Sequence, residues 1–91
     1  MGLDSYPRRG DGVLARRMDD TLVLLNPHDG QYFSLDDVGG RIWELADGTR
    51  SVSDIVALIA EEYDAPAEAI QTDTLELLED LAGEKLVGKA R

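Results

Sequence analysis

The hydrophobic pattern of this chain changes period once, near residue 35, and this change constrains the fold more than any other feature. Before it, apolar residues form short runs that have the length of strands and are separated by turn signals. After it, apolar residues recur every three or four positions, as they do along one face of a helix. The pattern therefore predicts a group of strands followed by a group of helices.

Three strands are predicted in the first part of the chain, over residues 12–18, 21–25 and 31–35. Turn signals at residues 19–20 and 26–30 separate them, because proline sets φ while Asp, Asn and Gly tolerate positive φ. Strands joined by such short turns pair as an antiparallel meander. The third predicted strand, Gln31–Leu35, then lies at an edge of the sheet and leaves one side unpaired.

Three helices are predicted in the second part of the chain. Ser34 or Asp36 can cap the first helix, and acidic residues follow in its first turn, where the helix dipole favours them. Ser51 and Asp54 resemble a capping box for the second helix, with Asp in place of the usual Glu. The third helix is predicted over residues 67–82 and is expected to end at Gly83.

Gly39 and Gly40 stand inside the first predicted helix, where each glycine costs about 1 kcal/mol relative to alanine. Close approach of this helix to the sheet would offset that cost. Three strands followed by three helices give an α+β domain, a small winged-helix-like fold with a three-stranded antiparallel sheet. We expect this domain over residues 11–88, after a flexible N-terminal arm over residues 1–10 that has few core-forming side chains.

The charge of the chain argues against nucleic acid and membranes as partners. The formal net charge is −10 at pH 7, which disfavours binding to phosphates or to an anionic membrane surface. No lysine or arginine occurs from residue 51 to residue 84, so the third predicted helix would repel a DNA duplex. No apolar run approaches the roughly 20 residues of a membrane helix, and we expect a cytoplasmic protein.

No catalytic, cofactor-binding or metal-binding residues are predicted. His28 is the single histidine and lies in a predicted turn, and no elbow motif frames any serine. The aspartate pairs at 19–20 and 36–37 lack the spacing of a calcium loop, and the chain has neither cysteine nor a phosphate-binding glycine loop. The sequence therefore predicts a protein that is not an enzyme and needs no cofactor.

The third predicted helix has an unusually wide apolar arc. One part clusters within about 60° and suffices to face the core; it consists of Ile70, Thr74, Leu77 and Leu81. A shoulder further round consists of Gln71, Leu75, Leu78 and Ala82. This shoulder either packs on a neighbouring element or forms a groove with the open edge of strand 31–35. An extended peptide could fill that groove as an added strand, although the edge could also pair with a second copy of the chain.

Four motifs, taken in order, carry a family resemblance. They are Gly30-x-Tyr32-Phe33-x-Leu35, Gly39-x-x-Ile42-Trp43, Asp47-Gly48 and Leu78-x-x-Leu81. With this order and spacing, residues 12–87 resemble the PqqD-like family of leader-peptide-binding domains, the recognition elements of ribosomally synthesised and modified peptides. The resemblance implies a winged-helix-like domain without catalytic residues, in which the precursor's leader docks as an extra strand between the third strand and the third helix.

Carried onto this chain, the resemblance implies two walls of a peptide-binding groove. The strand wall would consist of Gln31, Tyr32, Phe33 and Ser34, and the helix wall of Gln71, Leu75, Leu78 and Glu79. The implied partners are the precursor leader and a separate modifying enzyme that receives it.

Two kinds of modifying enzyme compete in this interpretation. The stretch GQYFSL ahead of the first predicted helix looks more like the stand-alone leader-binding proteins of lasso peptide pathways, which work with a leader protease and a cyclase. A radical-SAM enzyme is the second possibility. The alternative from a different functional class is an acidic winged-helix module that assembles a transcription-related complex through protein contacts. Binding of a leader peptide through its apolar residues would separate these two classes.

Overall fold

The structure, a computed structural model, describes residues 1–90 and places strands before helices, as the change of period predicts. The elements are β1 (Pro7–Arg9), β2 (Leu14–Met18), β3 (Thr21–Asn26), β4 (Gln31–Leu35), α1 (Asp37–Leu45), α2 (Val52–Tyr63), α3 (Ala67–Gly83) and β5 (Val87–Lys89). Strands β2, β3 and β4 form a three-stranded antiparallel sheet, which confirms the predicted α+β class. Strands β1 and β5, which were not predicted, pair as a separate two-stranded sheet.

Strand β3 is the centre of the larger sheet and shows which residues face the helices. Leu22 and Leu24 are buried and alternate with half-buried residues. In the register with β4, Leu24 lies opposite Phe33 and Leu25 lies opposite Tyr32. Because side chains alternate along a strand, Leu24 and Phe33 point toward the helices. Leu25 and Tyr32 point to the opposite side of the sheet.

Hydrogen bonds at the helix starts confirm the predicted caps. Asp36, rather than Ser34, is the N-cap of α1, and its carboxylate accepts a hydrogen bond from the Gly39 amide at 2.7 Å. At α2, the Ser51 hydroxyl accepts from the Asp54 amide at 3.0 Å, and the Asp54 carboxylate accepts from the Ser51 amide at 3.1 Å. This reciprocal pair is a capping box, which satisfies two amides that the helix itself cannot pair.

Gly39 and Gly40 allow α1 to approach the sheet closely, as predicted. A Cβ atom on Gly40 would lie 3.3 Å from Leu22 Cβ, and one on Gly39 would lie 3.3 Å from Leu35 Cβ. Both distances are shorter than ordinary contacts between packed carbon atoms. The close packing of α1 on β3 and β4 therefore offsets the low helix propensity of the two glycines.

The N-terminal segment is packed against the domain, whereas the sequence predicts a flexible arm over residues 1–10. Strand β1 pairs with β5, and Pro7 is fully buried. Ahead of β1, the carbonyls of Ser5 and Leu3 accept hydrogen bonds from the amides of Val52 and Ser53, at 2.9 and 3.0 Å. The arm was predicted from a lack of apolar side chains, but backbone hydrogen bonds hold this segment and they need no particular side chain.

One core lies between the larger sheet and the helices. Its largest fully buried side chains include Leu24, Ile42, Ile55, Ile59, Leu78 and Leu86. Trp43 is only 4% exposed and packs in the same core. None of the helices within residues 1–90 combines the length and the apolar character that crossing a bilayer requires.

Candidate functional site

The outer edge of β4 is unpaired. Strand β4 lies at an end of the larger sheet, and β3 occupies its other side. Within residues 1–90 no further strand pairs with β4. The edge therefore presents backbone N–H and C=O groups to which another strand can bond, which confirms the open edge predicted at Gln31–Leu35.

A cleft of about 470 Å³ lies beside this edge, between the end of β4, the start of α1 and one side of α3. Its lining consists of Ser34, Leu35, Asp36, Val38, Gly39, Ile42, Ile70, Asp73 and Leu77. The α3 members are three and four residues apart, so they share one side of the helix. We call the open edge of β4 and this cleft together the groove.

Gly39 allows the two sides of the cleft to come close. A Cβ atom on Gly39 would lie 3.5 Å from Leu77 Cδ2 and 3.1 Å from an oxygen of the Asp36 carboxylate. The side chain of Leu77 thus lies over the first turn of α1. A larger residue at position 39 would narrow the cleft at this point.

The four residues predicted as the strand wall lie on β4. Ser34 lines the cleft, Phe33 is half-buried against the core, and Gln31 is exposed. Tyr32 is 70% exposed on the side of the sheet away from the helices. Their backbone forms the open edge, so an added strand would meet all four through the main chain. Peptide contact at these residues stays a prediction.

The rotation of α3 differs from the one on which the predicted helix wall depends. Leu78 is fully buried in the core and is not accessible to a peptide. Gln71 and Leu75 are half-buried and Glu79 is exposed, but none of the three lines the cleft. The buried face of α3 consists of Ile70, Thr74, Leu78 and Leu81. The centre of the buried face of α3 therefore lies roughly 25° further round the helix toward Leu78 than predicted. As a result, the flank of α3 opposite to the predicted helix wall faces the cleft.

The N-terminal segment contacts the side of α3 on which the sequence placed the peptide. The amine of Met1 forms an ion pair with Glu79, and the Met1 side chain packs against the core. The hydrogen bond from this amine holds the pKa of the Glu79 carboxyl below its ordinary value. Leu75, on the same side, also packs against the core. No pattern in residues 1–10 predicts a contact with residue 79, so only the tertiary structure reveals it.

Sequence reasoning missed Asp73 and Leu77 as members of the groove. It assigned Leu77 to the core-facing arc, because Leu75, Leu77 and Leu78 are chemically alike and lie within about 160° on the helix. Asp73 belongs to neither part of the predicted apolar arc. The spacing of Ile70, Asp73 and Leu77 places the three residues on one flank of the helix. This spacing alone does not show that the flank faces the cleft, because that depends on the orientation of the helix.

The cleft carries negative charge and no positive charge. Asp36 on one side and Asp73 on the other are among its lining residues, and no lysine, arginine or histidine is. The Asp36 carboxylate is occupied by the Gly39 amide, whereas Asp73 is exposed on α3. The cleft therefore favours a ligand that combines apolar groups with positive charge.

The groove offers backbone pairing and apolar contact to a ligand. Ser34 lines the cleft, but the lining residues supply no histidine or lysine that would act as its base. In the part of the chain that the structure describes, no group of three His, Cys, Asp or Glu residues is placed to hold a metal ion.

Known proteins with a similar sequence share these elements. The family model described as Coenzyme PQQ synthesis protein D (PqqD) matches residues 21–87, which include β3, β4 and all three helices. A curated relative, the PqqA binding protein of Xanthomonas campestris pv. campestris (strain B100), is 36% identical over 86 residues. The match covers 92% of this chain and 91% of the relative.

Two solved structures are similar in sequence and in fold. TbiB1 in complex with the TbiA(beta) leader peptide is 35% identical with a TM-score of 0.78, over 88% of this chain and 93% of that one. The PqqD truncation of Methylobacterium extorquens PqqCD, a stand-alone RiPP recognition element, is 33% identical with a TM-score of 0.76, over 90% of this chain and 87% of that one. Together with the match over residues 21–87, this similarity shows that the chain belongs to the PqqD family.

Proposed function

We propose that this chain binds the leader segment of a ribosomally synthesised precursor peptide and presents it to a separate modifying enzyme, without catalysing a reaction itself. The leader pairs with the open edge of β4 as an added strand and places alternate side chains in the cleft. The observation that carries this proposal is an unpaired strand edge directly beside an apolar cleft.

Strand addition suits the geometry of the groove. An added strand lies about 4.8 Å from its neighbour, and every second side chain points to the same face of the sheet. The leader side chains on the helix face then enter the cleft, where Ile42, Ile70 and Leu77 surround them. Backbone pairing supplies affinity that does not depend on side chains, and the cleft supplies selectivity.

The relatives support a leader peptide as the ligand. The Xanthomonas protein is named for binding PqqA, and TbiB1 was solved with a leader peptide. The Methylobacterium protein is described as a functional RiPP recognition element. Transferred to this chain, these names favour a precursor leader over other extended peptides, and a binding role over an enzymatic one.

The modifying partner that we favour is the leader protease or the cyclase of a lasso peptide pathway, with a radical-SAM enzyme second. The stretch GQYFSL ahead of α1, which resembles the stand-alone leader-binding proteins of lasso peptide pathways, supports the first choice. An equimolar amount of this protein should then accelerate leader removal by the protease encoded beside its gene. Acceleration of a linked radical-SAM enzyme instead would establish the second choice.

A fluorescence-anisotropy titration into a labelled leader peptide, encoded beside the gene of this protein, tests the groove. Leu77→Glu should abolish saturable binding, because it removes an apolar side chain that the leader contacts and places a charge beside Ile42 and Ile70. Leu75→Glu is the matched control, since Leu75 is a half-buried leucine of the same helix outside the cleft. Its affinity should change by less than about twofold.

The outcomes separate the parts of the proposal, provided that circular dichroism shows both variants folded. If Leu75→Glu loses leader binding and Leu77→Glu keeps it, the peptide binds on the other flank of α3. No binding by the intact protein would exclude leader binding altogether. N-methylation of the leader amides that face β4 should also abolish binding, and an equal effect from methylating the alternate amides would contradict strand addition.

A further inference from the structure

The side of the larger sheet that faces away from the helices is unusually apolar for a surface. Among residues 1–90, four large hydrophobic side chains are exposed, and three of them lie on this side. They are Leu14, Met18 and Tyr32, with 57, 56 and 70% of their surface exposed. Single exposed hydrophobic residues are normal, but a contiguous group of them marks an interaction surface.

The strand register brings these residues together. Leu14 lies opposite Leu25, which lies opposite Tyr32, so one row crosses all three strands. Arg16 lies opposite Val23 in the next row. A shallow depression of about 360 Å³ is lined by Leu14, Ala15, Arg16, Met18, Val23, Leu25 and Tyr32. We call these seven residues the outer face.

The outer face and the groove can be occupied at the same time. Leu22 and Leu24 of β3 point into the core on the helix side, whereas Val23 and Leu25 belong to the outer face. A leader strand added to β4 would widen the sheet, and its outward-pointing side chains would extend the outer face past Tyr32. A protein on the outer face would thus contact both this chain and its bound peptide.

Arg16 indicates the charge of the occupant. Every other arginine among residues 1–90 has a hydrogen-bond or ion-pair partner, for example Arg17 with Glu44 at 2.8 Å. Arg16 has none within these residues, and no carboxylate lines the outer face. An occupant that presents a carboxylate to Arg16 and apolar groups around it would complement this surface.

Charge also argues against two other occupants. A second copy docked face to face would present the same seven residues, none of which carries a carboxylate for Arg16. The net charge of −10 would oppose such a dimer and would also repel an anionic lipid surface. A different protein is therefore the occupant that fits.

We propose that the outer face docks the separate modifying enzyme, through an apolar enzyme surface that carries a carboxylate opposite Arg16. This inference rests on the proposed function, because that function supplies an enzyme as the second partner. Since the added leader strand extends the outer face, the enzyme binds more tightly to the complex with leader than to this protein alone.

Biolayer interferometry with the immobilised leader protease or radical-SAM enzyme encoded beside the gene tests the docking. Leu14→Ser and Arg16→Glu should each weaken enzyme binding by about tenfold or more, and Arg16→Lys should retain most of it. Both positions lie on β2, across the sheet from the groove, so leader affinity should stay unchanged. Leu3→Ser, at the exposed leucine outside the outer face, is the matched control and should bind the enzyme normally.

Each contrary result has a distinct meaning. Two results would overturn the docking and leave the proposed function intact. In the first, the intact protein binds the leader normally but does not bind the enzyme. In the second, Leu14→Ser and Arg16→Glu bind the enzyme as tightly as the intact protein does. A dimer seen by light scattering and abolished by Leu14→Ser would assign the outer face to a second copy of the chain. Binding to vesicles of anionic phospholipid would assign it to a membrane. Either result would also overturn the docking of the enzyme. Loss of leader binding by the intact protein would refute the proposed function first.

Discussion

At the scale of single residues, Thr74 carries a buried hydroxyl without a hydrogen-bond partner. The residue is fully buried on the core face of α3, and its Oγ1 has no partner within hydrogen-bond distance. Valine has the same shape and a similar helix propensity but no polar atom to desolvate. Thr74→Val should therefore raise the free energy of unfolding in urea by about 1 kcal/mol.

Thr72 provides the control for this prediction on the same helix. It is exposed, and its hydroxyl donates to the carbonyl of Glu68 at 3.2 Å. Thr72→Val should change the free energy of unfolding by less than about 0.5 kcal/mol. A lower stability of Thr74→Val than of the intact protein would show that the hydroxyl of Thr74 has a partner in solution.

At the scale of elements, Arg41 of α1 and Glu62 of α2 join two helices beside the core. Arg41 donates to both carboxylate oxygens of Glu62, at 2.9 and 2.8 Å. These hydrogen bonds hold the pKa of the Glu62 carboxyl below its ordinary value of 4.5. A carboxyl whose pKa is lower in the folded state than in the unfolded state stabilises the fold at pH values above its ordinary pKa. This contribution is lost as the pH falls through the lowered pKa of the folded state.

Urea unfolding between pH 7 and pH 3 measures this contribution. The midpoint difference between the intact protein and Glu62→Gln should be constant above about pH 5 and should shrink as the pH falls below 4.5. Glu61→Gln is the matched control, because Glu61 is the exposed neighbour on the same helix and has no such partner. A difference that grows toward low pH would contradict the assigned sign.

The second prediction at this scale concerns the backbone hydrogen bonds of the N-terminal segment, which includes β1. The amide of Gly48 donates to the carbonyl of Pro7, and the amide of Ala90 donates to the carbonyl of Tyr6, at 2.9 and 2.7 Å. Deletion of residues 1–9 leaves these amides and the first turn of α2 unpaired. It should lower the melting temperature by about 10 °C or more.

Arg8→Ala is the control that separates the effect of losing backbone hydrogen bonds from the effect of losing an exposed side chain of β1. The Arg8 side chain is exposed and forms its ion pair with the exposed Asp11, at 3.4 Å, whereas the backbone pairing of β1 is kept. We expect a change of less than about 3 °C. A deletion variant as stable as the intact protein would restore the interpretation of residues 1–10 as a flexible arm.

At the scale of the whole molecule, a net charge of −10 acts over a body whose longest extent is 35 Å. At 10 mM salt the Debye length is about 30 Å, so carboxylates repel one another across the whole domain. Raising sodium chloride from 10 to 500 mM should therefore raise the melting temperature by a few degrees. A fall would mean that screening of the surface ion pairs outweighs screening of the repulsion.

A charge-reduced variant checks the origin of that salt effect. The triple substitution Glu76→Gln, Asp80→Asn and Glu84→Gln removes three exposed carboxylates from the C-terminal half of α3 and its cap. Its melting temperature should depend less on salt than that of the intact protein. An equal dependence would assign the effect to the hydrophobic core rather than to charge.

The sequence by itself determined those features whose cause lies within a few neighbouring residues. The change of hydrophobic period predicted the strands of the larger sheet and the three helices. Short-range cap chemistry predicted Asp36 as one of two candidates and predicted the Ser51 and Asp54 box. The short turns predicted that β4 is an edge strand, and hence that half of the groove is an open edge.

Only the tertiary structure decided those features that join distant parts of the chain. Strands β1 and β5 are three residues each, too short to carry a period, and they pair across about 80 positions. The flank of α3 that faces the cleft depends on a rotation of roughly 25°, which the equivalent leucines at 75, 77 and 78 leave open. That rotation follows from packing against elements remote in sequence, because the buried face of α3 meets the common core while Met1 pairs with Glu79 on one flank.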